Sequence, residues 1–118
     1  MSEYRSVLVV EDEPLIAMML EDFLETLGHR VHASCESVEQ AIGEAEKGGF
    51  DVAILDVNLG GETAWPVARK LREKRIPFVI ATGGHVEPPP VEFSNVPVIE
   101  KPYTVDRVTP ALEAAFAV

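Results

Sequence analysis

Glu11, Asp12, Asp56, Thr82 and Lys101 each follow a short apolar run, and together their side chains could handle a phosphoryl group. The runs span residues 7–10, 52–55, 78–81 and 98–99, rich in valine and isoleucine, the pattern of strands buried on both faces. In a parallel sheet all strand C-termini share one edge. Residues scattered from position 11 to position 101 would then meet in one crevice. Three carboxylates crowded there repel, so at least one is pushed toward its neutral form unless a cation lies among them. An oxygen-only set without histidine or thiolate suits a magnesium ion that keeps several waters, not zinc. A carboxylate beside magnesium, with an ammonium and a hydroxyl opposite, is what phosphoryl transfer needs. Asp56 would supply the attacking oxygen, and the cations would neutralise charge on the transferred group. Taken singly, Asp12 or Asp56 would read as a helix cap, since aspartate often plays that part. Asp56, however, precedes a loop rather than a helix, and its companions stand in register with it.

The elements that must position these residues alternate along the chain. After the first run, Pro14 occupies a position that a first helical turn tolerates, and apolar residues at helical spacing lead to a stop at Gly28. Leu15, Met19 and Phe23 of this helix are expected in the core. Residues 30–33 read as a weak edge strand. Ser37 and Gln40 form a capping box for a second helix, which Gly48 and Gly49 end. Residues 58–61 read as a loop before a third helix that turns Ala64, Val67, Ala68 and Leu71 inward. Thr104 is expected to cap a last helix, with Val105, Val108, Leu112 and Phe116 inward. Pro110 should kink that helix or mark its true start. Between residues 83 and 97, Pro88, Pro89 and Pro90 remove amide donors, so the connection is expected to be mostly extended with at most one helical turn. Strands joined through helices by short connections run parallel through right-handed crossovers. The expected architecture is α/β: a flavodoxin-like, doubly wound, five-stranded parallel sheet of order 2-1-3-4-5 with a short or irregular fourth helix. Its ligand crevice lies between strands 1 and 3.

Composition bounds what else the chain can be. Its 118 residues suffice for one domain, and 47% hydrophobic with 25% charged residues excludes a disordered chain. Twenty acidic against ten basic residues give a net charge of −10, which argues against nucleic acid or an anionic membrane surface as partner. The single cysteine, Cys35, excludes an intramolecular disulfide and a thiolate zinc site. No apolar run reaches the roughly 18 residues that suggest a membrane span, and residues 1–5 do not open a signal peptide, so a cytoplasmic location is expected. His29, His32 and His85 are too dispersed for a metal site. Arg69, Lys70, Arg72, Lys74 and Arg75, half of all basic residues, crowd the end of the third helix. A docking patch is one reading, and a solvated helix C-terminus complementing the dipole is the plainer one.

The acidic pair Glu11-Asp12, Asp56, Thr82 and the pair Lys101-Pro102 fall in the order and approximate spacing of a response-regulator receiver domain, which the chain resembles over its whole length. The resemblance implies that Asp12 binds Mg2+ directly, Glu11 through water, and Asn58 through its main-chain carbonyl. It implies that Asp56 accepts phosphoryl from a histidine kinase or histidine phosphotransfer protein, Thr82 swings toward that group and Lys101 binds one of its oxygens. It also implies a cis Lys101-Pro102 peptide and docking of the acidic first helix on a kinase helix bundle. Two departures stand out. Val98 occupies the position of the family's aromatic switch residue, and the triple proline disturbs the fourth helix. The stretch from Ile80 to Gly84 is similar to the Phe-Ala-Thr-Gly signature of a receiver subgroup with an irregular or mobile fourth helix, Ile80 replacing the phenylalanine. Gly83 and Gly84 leave access for the phosphoryl group and a hydrolytic water.

The expected function is thus a single stand-alone receiver over residues 1–118, with an unknown downstream protein and no output domain, although a receiver cut from a longer regulator or hybrid kinase would read the same. It would catalyse its own phosphorylation and dephosphorylation without being a turnover enzyme. An aspartate-nucleophile phosphatase of small phosphate esters is the enzymatic alternative, but such enzymes need a second aspartate where this chain has Asn58. A receiver-like binding module that is never phosphorylated is the third reading, and the intact acidic set speaks against it.

Overall fold

The β-branched runs pair as one parallel sheet in a computed structural model, which describes residues 5–83 and 89–117. In chain order the elements are β1 (Ser6–Val10), α1 (Pro14–Thr26), β2 (Arg30–Cys35), α2 (Val38–Lys47), β3 (Val52–Asp56), β4 (Asn58–Leu59), β5 (Glu62–Thr63), α3 (Trp65–Glu73), β6 (Phe78–Thr82), β7 (Val98–Glu100) and α4 (Val105–Ala117). The sheet order is β2-β1-β3-β6-β7, which is the expected 2-1-3-4-5 once the two-residue strands β4 and β5 are set aside.

Side-chain alternation along the central strands divides the core into two layers. Leu8, Val10, Ala53 and Leu55 join the α2 and α3 side, with Ala41, Ala45, Val67, Ala68 and Leu71. Val7, Val9, Val52 and Ile54 join the α1 and α4 side, with Ala17, Leu20, Leu24, Val108 and Leu112. Neither face of the inner strands meets water, so their near-continuous apolar sequence is required.

Several expectations are corrected, among them the inward place of Val105, which is 36% exposed at the start of α4. Residues 58–61 are not a plain loop: Asn58 pairs with Thr63 and Leu59 with Glu62 around Gly60 and Gly61. Both glycines have positive φ, 59° and 88°, as a tight two-residue hairpin turn requires. In α1, Ala17, Leu20 and Leu24 face the sheet, whereas Leu15 is 79% and Met18 62% exposed, and Met19 is only partly covered. The helix is apolar around much of its circumference, so periodicity alone did not select the buried stripe. Helix α4 runs unbroken through Pro110 from Val105. Pro110 and Asp106, whose carbonyl loses its partner, are both exposed, so the ring finds room and the carbonyl can be hydrated. The first turn of α4 is closed by the Thr104 carbonyl, which accepts from the amides of Arg107 and Val108, while the buried Thr104 hydroxyl has no partner among the described residues.

Between β6 and β7, the described residues hold one 3-10 turn, Val91–Phe93, and no α-helix. Phe93 anchors it. The ring is fully buried, stacked on Trp65 at 5.7 Å and edge-on to Phe78 at 5.8 Å. Arg69 Nε donates to Glu92 Oε1 at 2.8 Å, Arg72 donates to the Glu92 carbonyl, and the Arg72 guanidinium lies 4.8 Å from the Phe93 ring centre. Lys70 pairs with Glu73 at 3.4 Å. Much of the basic cluster on α3 is therefore engaged within the chain, two arginines of it in holding the turn that stands where another helix would pack. Gly84, His85 and Pro88 lie outside the described residues.

Phe93→Ala should cost about 3–5 kcal/mol, the usual penalty for emptying a buried aromatic site. Glu92→Ala should cost less than about 1 kcal/mol, because its ion pair is half-exposed. Urea unfolding followed by the fluorescence of Trp65, the only tryptophan, measures both. Equal losses would show that the ion pair, not the ring, holds the turn.

Candidate functional site

Strand register delivers the polar residues to one edge. Val10 pairs with Leu55, so one step further Glu11 stands beside Asp56. Asp56 pairs with Ala81, and Thr82 follows. Thr82 pairs with Glu100, and Lys101 comes next, its amide donating to the Thr82 carbonyl at 2.9 Å. Carboxylate oxygens of Glu11, Asp12 and Asp56 all lie within 4.8 Å of one another.

Lys101 is the counter-charge inside this group. Its Nζ lies 2.9 Å from Asp56 Oδ2, as a hydrogen bond, and 2.7 Å from Glu11 Oε1. The second contact is an ion pair without the alignment of a hydrogen bond, so Glu11 Oε1 is buried with no directed donor among the described residues. The peptide joining Lys101 to Pro102 is cis. Glu11 is wholly inaccessible; its other oxygen accepts from the Glu13 amide at 3.2 Å. Burial raises Glu11 to about 7, Lys101 opposes the rise, and the Asp56 charge adds to it. For Lys101, burial pulls downward, but the two carboxylates outweigh it and hold the ammonium above its ordinary range.

The β4–β5 hairpin closes the site on the other flank. The Gly60 amide donates to Asp12 Oδ2 at 2.9 Å, and the Asn58 amide donates weakly to Asp56 Oδ1 at 3.4 Å. Gly60 was not among the candidates from sequence, although the Gly60-Gly61 pair was the available signal for a turn that brings an amide inward. The expected set of Glu11, Asp12, Asp56 and Lys101 is brought together directly. Thr82 is half-buried at the same edge, and among the described residues its hydroxyl has no hydrogen bond. Apart from its chain neighbours, no described atom lies within 4 Å of the position a Gly83 Cβ would occupy. Val98 is half-exposed, and Tyr103, only 2% exposed, is buried with no partner for its hydroxyl among the described residues.

The donor set fits a small hard cation. Three carboxylates supply oxygens close enough to share one ion, and at least three formal negative charges face a single ammonium.

A doubly wound sheet with an acidic cluster and a lysine at its C-terminal edge is the architecture that the comparisons with known proteins also find. The profile of the response regulator receiver domain matches residues 7–113, so the chain belongs to that family of two-component signalling proteins. The solution structure of SdrG from Sphingomonas melonis Fr1 is 50% identical, with a TM-score of 0.86, and covers 98% of this chain and 99% of that one. A BeF3-activated conformation of SdrG, from Pseudomonas melonis Fr1, is 51% identical with a TM-score of 0.80 over 97% of this chain and 98% of that one. The transcriptional regulatory protein YkoG of Bacillus subtilis is 29% identical over 92% of this chain, which spans only 50% of that relative. Among the described residues no helix is long and apolar enough to cross a membrane.

The raised Glu11 sets a pH dependence. The folded state retains a proton that the unfolded chain releases near pH 4.5, so the contribution of Glu11 to stability is full below that value and is lost as pH rises through 7. Metal-free wild type should lose stability relative to Glu11→Gln between about pH 5 and pH 7.5, and Mg2+ should reduce the loss. Denaturation midpoints across that window measure it. Parallel profiles for the two proteins would contradict the assignment.

Proposed function

We propose that this receiver takes a phosphoryl group onto Asp56 from a histidine kinase or a histidine phosphotransfer protein. The observation that carries the reading is the buried Asp56–Lys101–Glu11 arrangement, with Asp12 beside it, at the C-terminal edge of the sheet. An Asp56 carboxylate oxygen attacks the phosphorus of a phosphoimidazole. The new P–O bond forms as the P–N bond breaks, and the imidazole leaves with the bonding electrons and takes up a proton. Asp12 and Asp56, with the Asn58 carbonyl and Glu11 through water, would hold Mg2+, which supplies charge neutralisation on the phosphoryl oxygens. Lys101 Nζ moves from its carboxylate partners to a phosphoryl oxygen. Thr82, whose hydroxyl is not engaged among the described residues, turns toward the same group, and Gly83 presents no side chain to an approaching water.

The BeF3-activated conformation of SdrG, half identical to this chain, supports the reading, since beryllofluoride is a tetrahedral stand-in for a phosphoryl group. Asn58, which cannot act as acid or base, stands against turnover of phosphate esters. We take residues 1–118 as one receiver that signals in the cytoplasm by changing its contacts with another protein. The chain spans half or less of the length of curated regulators such as YkoG that it resembles, so their further activities are not assigned to it.

With Mg2+ and acetyl phosphate or phosphoramidate, intact mass should show one phosphoryl adduct, stable to acid and removed by hydroxylamine. Asp56→Asn should show none. An adduct that persists in Asp56→Asn, or none in wild type, would overturn the assignment. Release of phosphate from diverse esters over many turnovers would favour the phosphatase.

A further inference from the structure

The basic cluster at the end of α3 is only partly used within the chain. Arg69 and Arg72 hold the 3-10 turn, and Lys70 pairs with Glu73. Arg75 is exposed, and among the described residues its side chain makes no hydrogen bond or ion pair. Its backbone is also costly. Arg75 closes α3 in a left-handed conformation, φ 61°, its amide donating to the Arg72 carbonyl and the Ile76 amide to the Leu71 carbonyl. Glycine is the usual residue at that place of a helix end, because a Cβ is strained there. A charged side chain is thus carried at a position where the backbone alone favours none.

Beside it lies a partly open pocket of about 280 Å3 at the N-terminal edge of the sheet. Arg72 and Arg75 supply its charge, and Pro77, Val96, Pro97 and Phe116 are among its apolar walls. Among the described residues no acidic side chain lines it, in a chain of net charge −10. The Arg5 guanidinium lies 3.7 Å from the centre of the Phe116 ring and adds positive charge to that wall. The volume falls just under the range that encloses a whole small-molecule ligand, and it suits one large anchoring side chain. Guanidinium groups beside apolar walls select an aromatic ring with a carboxylate next to it, through ring contact and charge-assisted hydrogen bonds. We propose that this pocket docks an acidic peptide segment of a partner protein, an aromatic anchor entering it and a neighbouring Asp or Glu meeting Arg75. Phe78 begins β6 at this edge and Thr82 ends it at the other, four strand steps or about 13 Å away. A partner held here leaves the carboxylate edge uncovered, so this surface is separate from the one that meets a phosphoryl donor.

The test titrates the nitrogen-labelled full chain with the acetylated, amidated peptide Ser-Phe-Asp-Glu-Ser, and with versions carrying Ala for Phe or Asn-Gln for Asp-Glu. Wild type should show saturable shifts of the Ile76, Phe78 and Phe116 amide resonances. Each altered peptide should bind about tenfold more weakly, the loss expected for one ring contact or one charge-assisted hydrogen bond. Arg75→Gly should also bind the parent peptide about tenfold more weakly, with a melting midpoint no lower than wild type, since glycine accepts the left-handed backbone. Its labelling at Asp56 by acetyl phosphate should match wild type. A merely structural arginine would lower the midpoint and leave peptide affinity unchanged. Absent shifts, shifts confined to the carboxylate edge, equal affinity for Arg75→Gly, or equal binding of either altered peptide overturns the proposal. So does phenylacetate binding as tightly as the peptide, which would make the occupant a small carboxylate. Self-association that Arg75→Gly abolishes would make it a second copy of this chain and overturns the proposal as well. The Asp56 adduct is read separately, so none of these outcomes touches the phosphoacceptor reading.

Discussion

Everything at the C-terminal edge of the sheet depends on one electrostatic problem: three carboxylates within 4.8 Å of one another and one lysine to balance them. The problem is built into the register. Because β1 and β3 are adjacent parallel strands, the residues that follow Val10 and Leu55 must stand side by side, and both are acidic. The lysine arrives from β7, two strands from β3, and its backbone is tied to the carbonyl of Thr82. Charge and hydroxyl are thereby linked through one short hydrogen bond. A chemical event at Asp56 that draws Lys101 forward acts on an ammonium whose own backbone is fastened to Thr82.

The remainder of the molecule holds that edge still. Two apolar layers clamp the central strands, and neither inner strand shows a face to water. The β4–β5 hairpin keeps Asp12 oriented through the Gly60 amide, while Asn58 reaches back to Asp56. On the far side of β6, Phe93 and the arginines of α3 secure the 3-10 turn.

Much of this was legible in the residues. The apolar runs and their alternation with helical segments determine a parallel sheet, and a parallel sheet brings Glu11, Asp56 and Lys101 together without further information. Less legible were features that depend on choices between near-equal local options. Helix α1 is apolar on so many sides that Leu15 and Met19 looked as interior as Leu20, and only packing against the sheet decides between them. Pro110 disfavours a helix locally, but burial of Val108, Leu112 and Ala115 carries α4 through it. The hairpin at Gly60 and Gly61 was missed because two-residue strands have no periodicity to read. The basic cluster on α3 could not reveal its partner, since Glu92 lies some twenty residues away across an irregular connection.

The central claim is that Lys101 and a divalent cation relieve the same carboxylate cluster. Thermal midpoints of wild type and Lys101→Met near pH 8, with and without saturating Mg2+, address it most directly. The claim predicts that the variant melts lower without metal and gains more from Mg2+ than wild type does, so that the gap narrows. A variant as stable as wild type without metal, or an equal gain from Mg2+ in both, would contradict it.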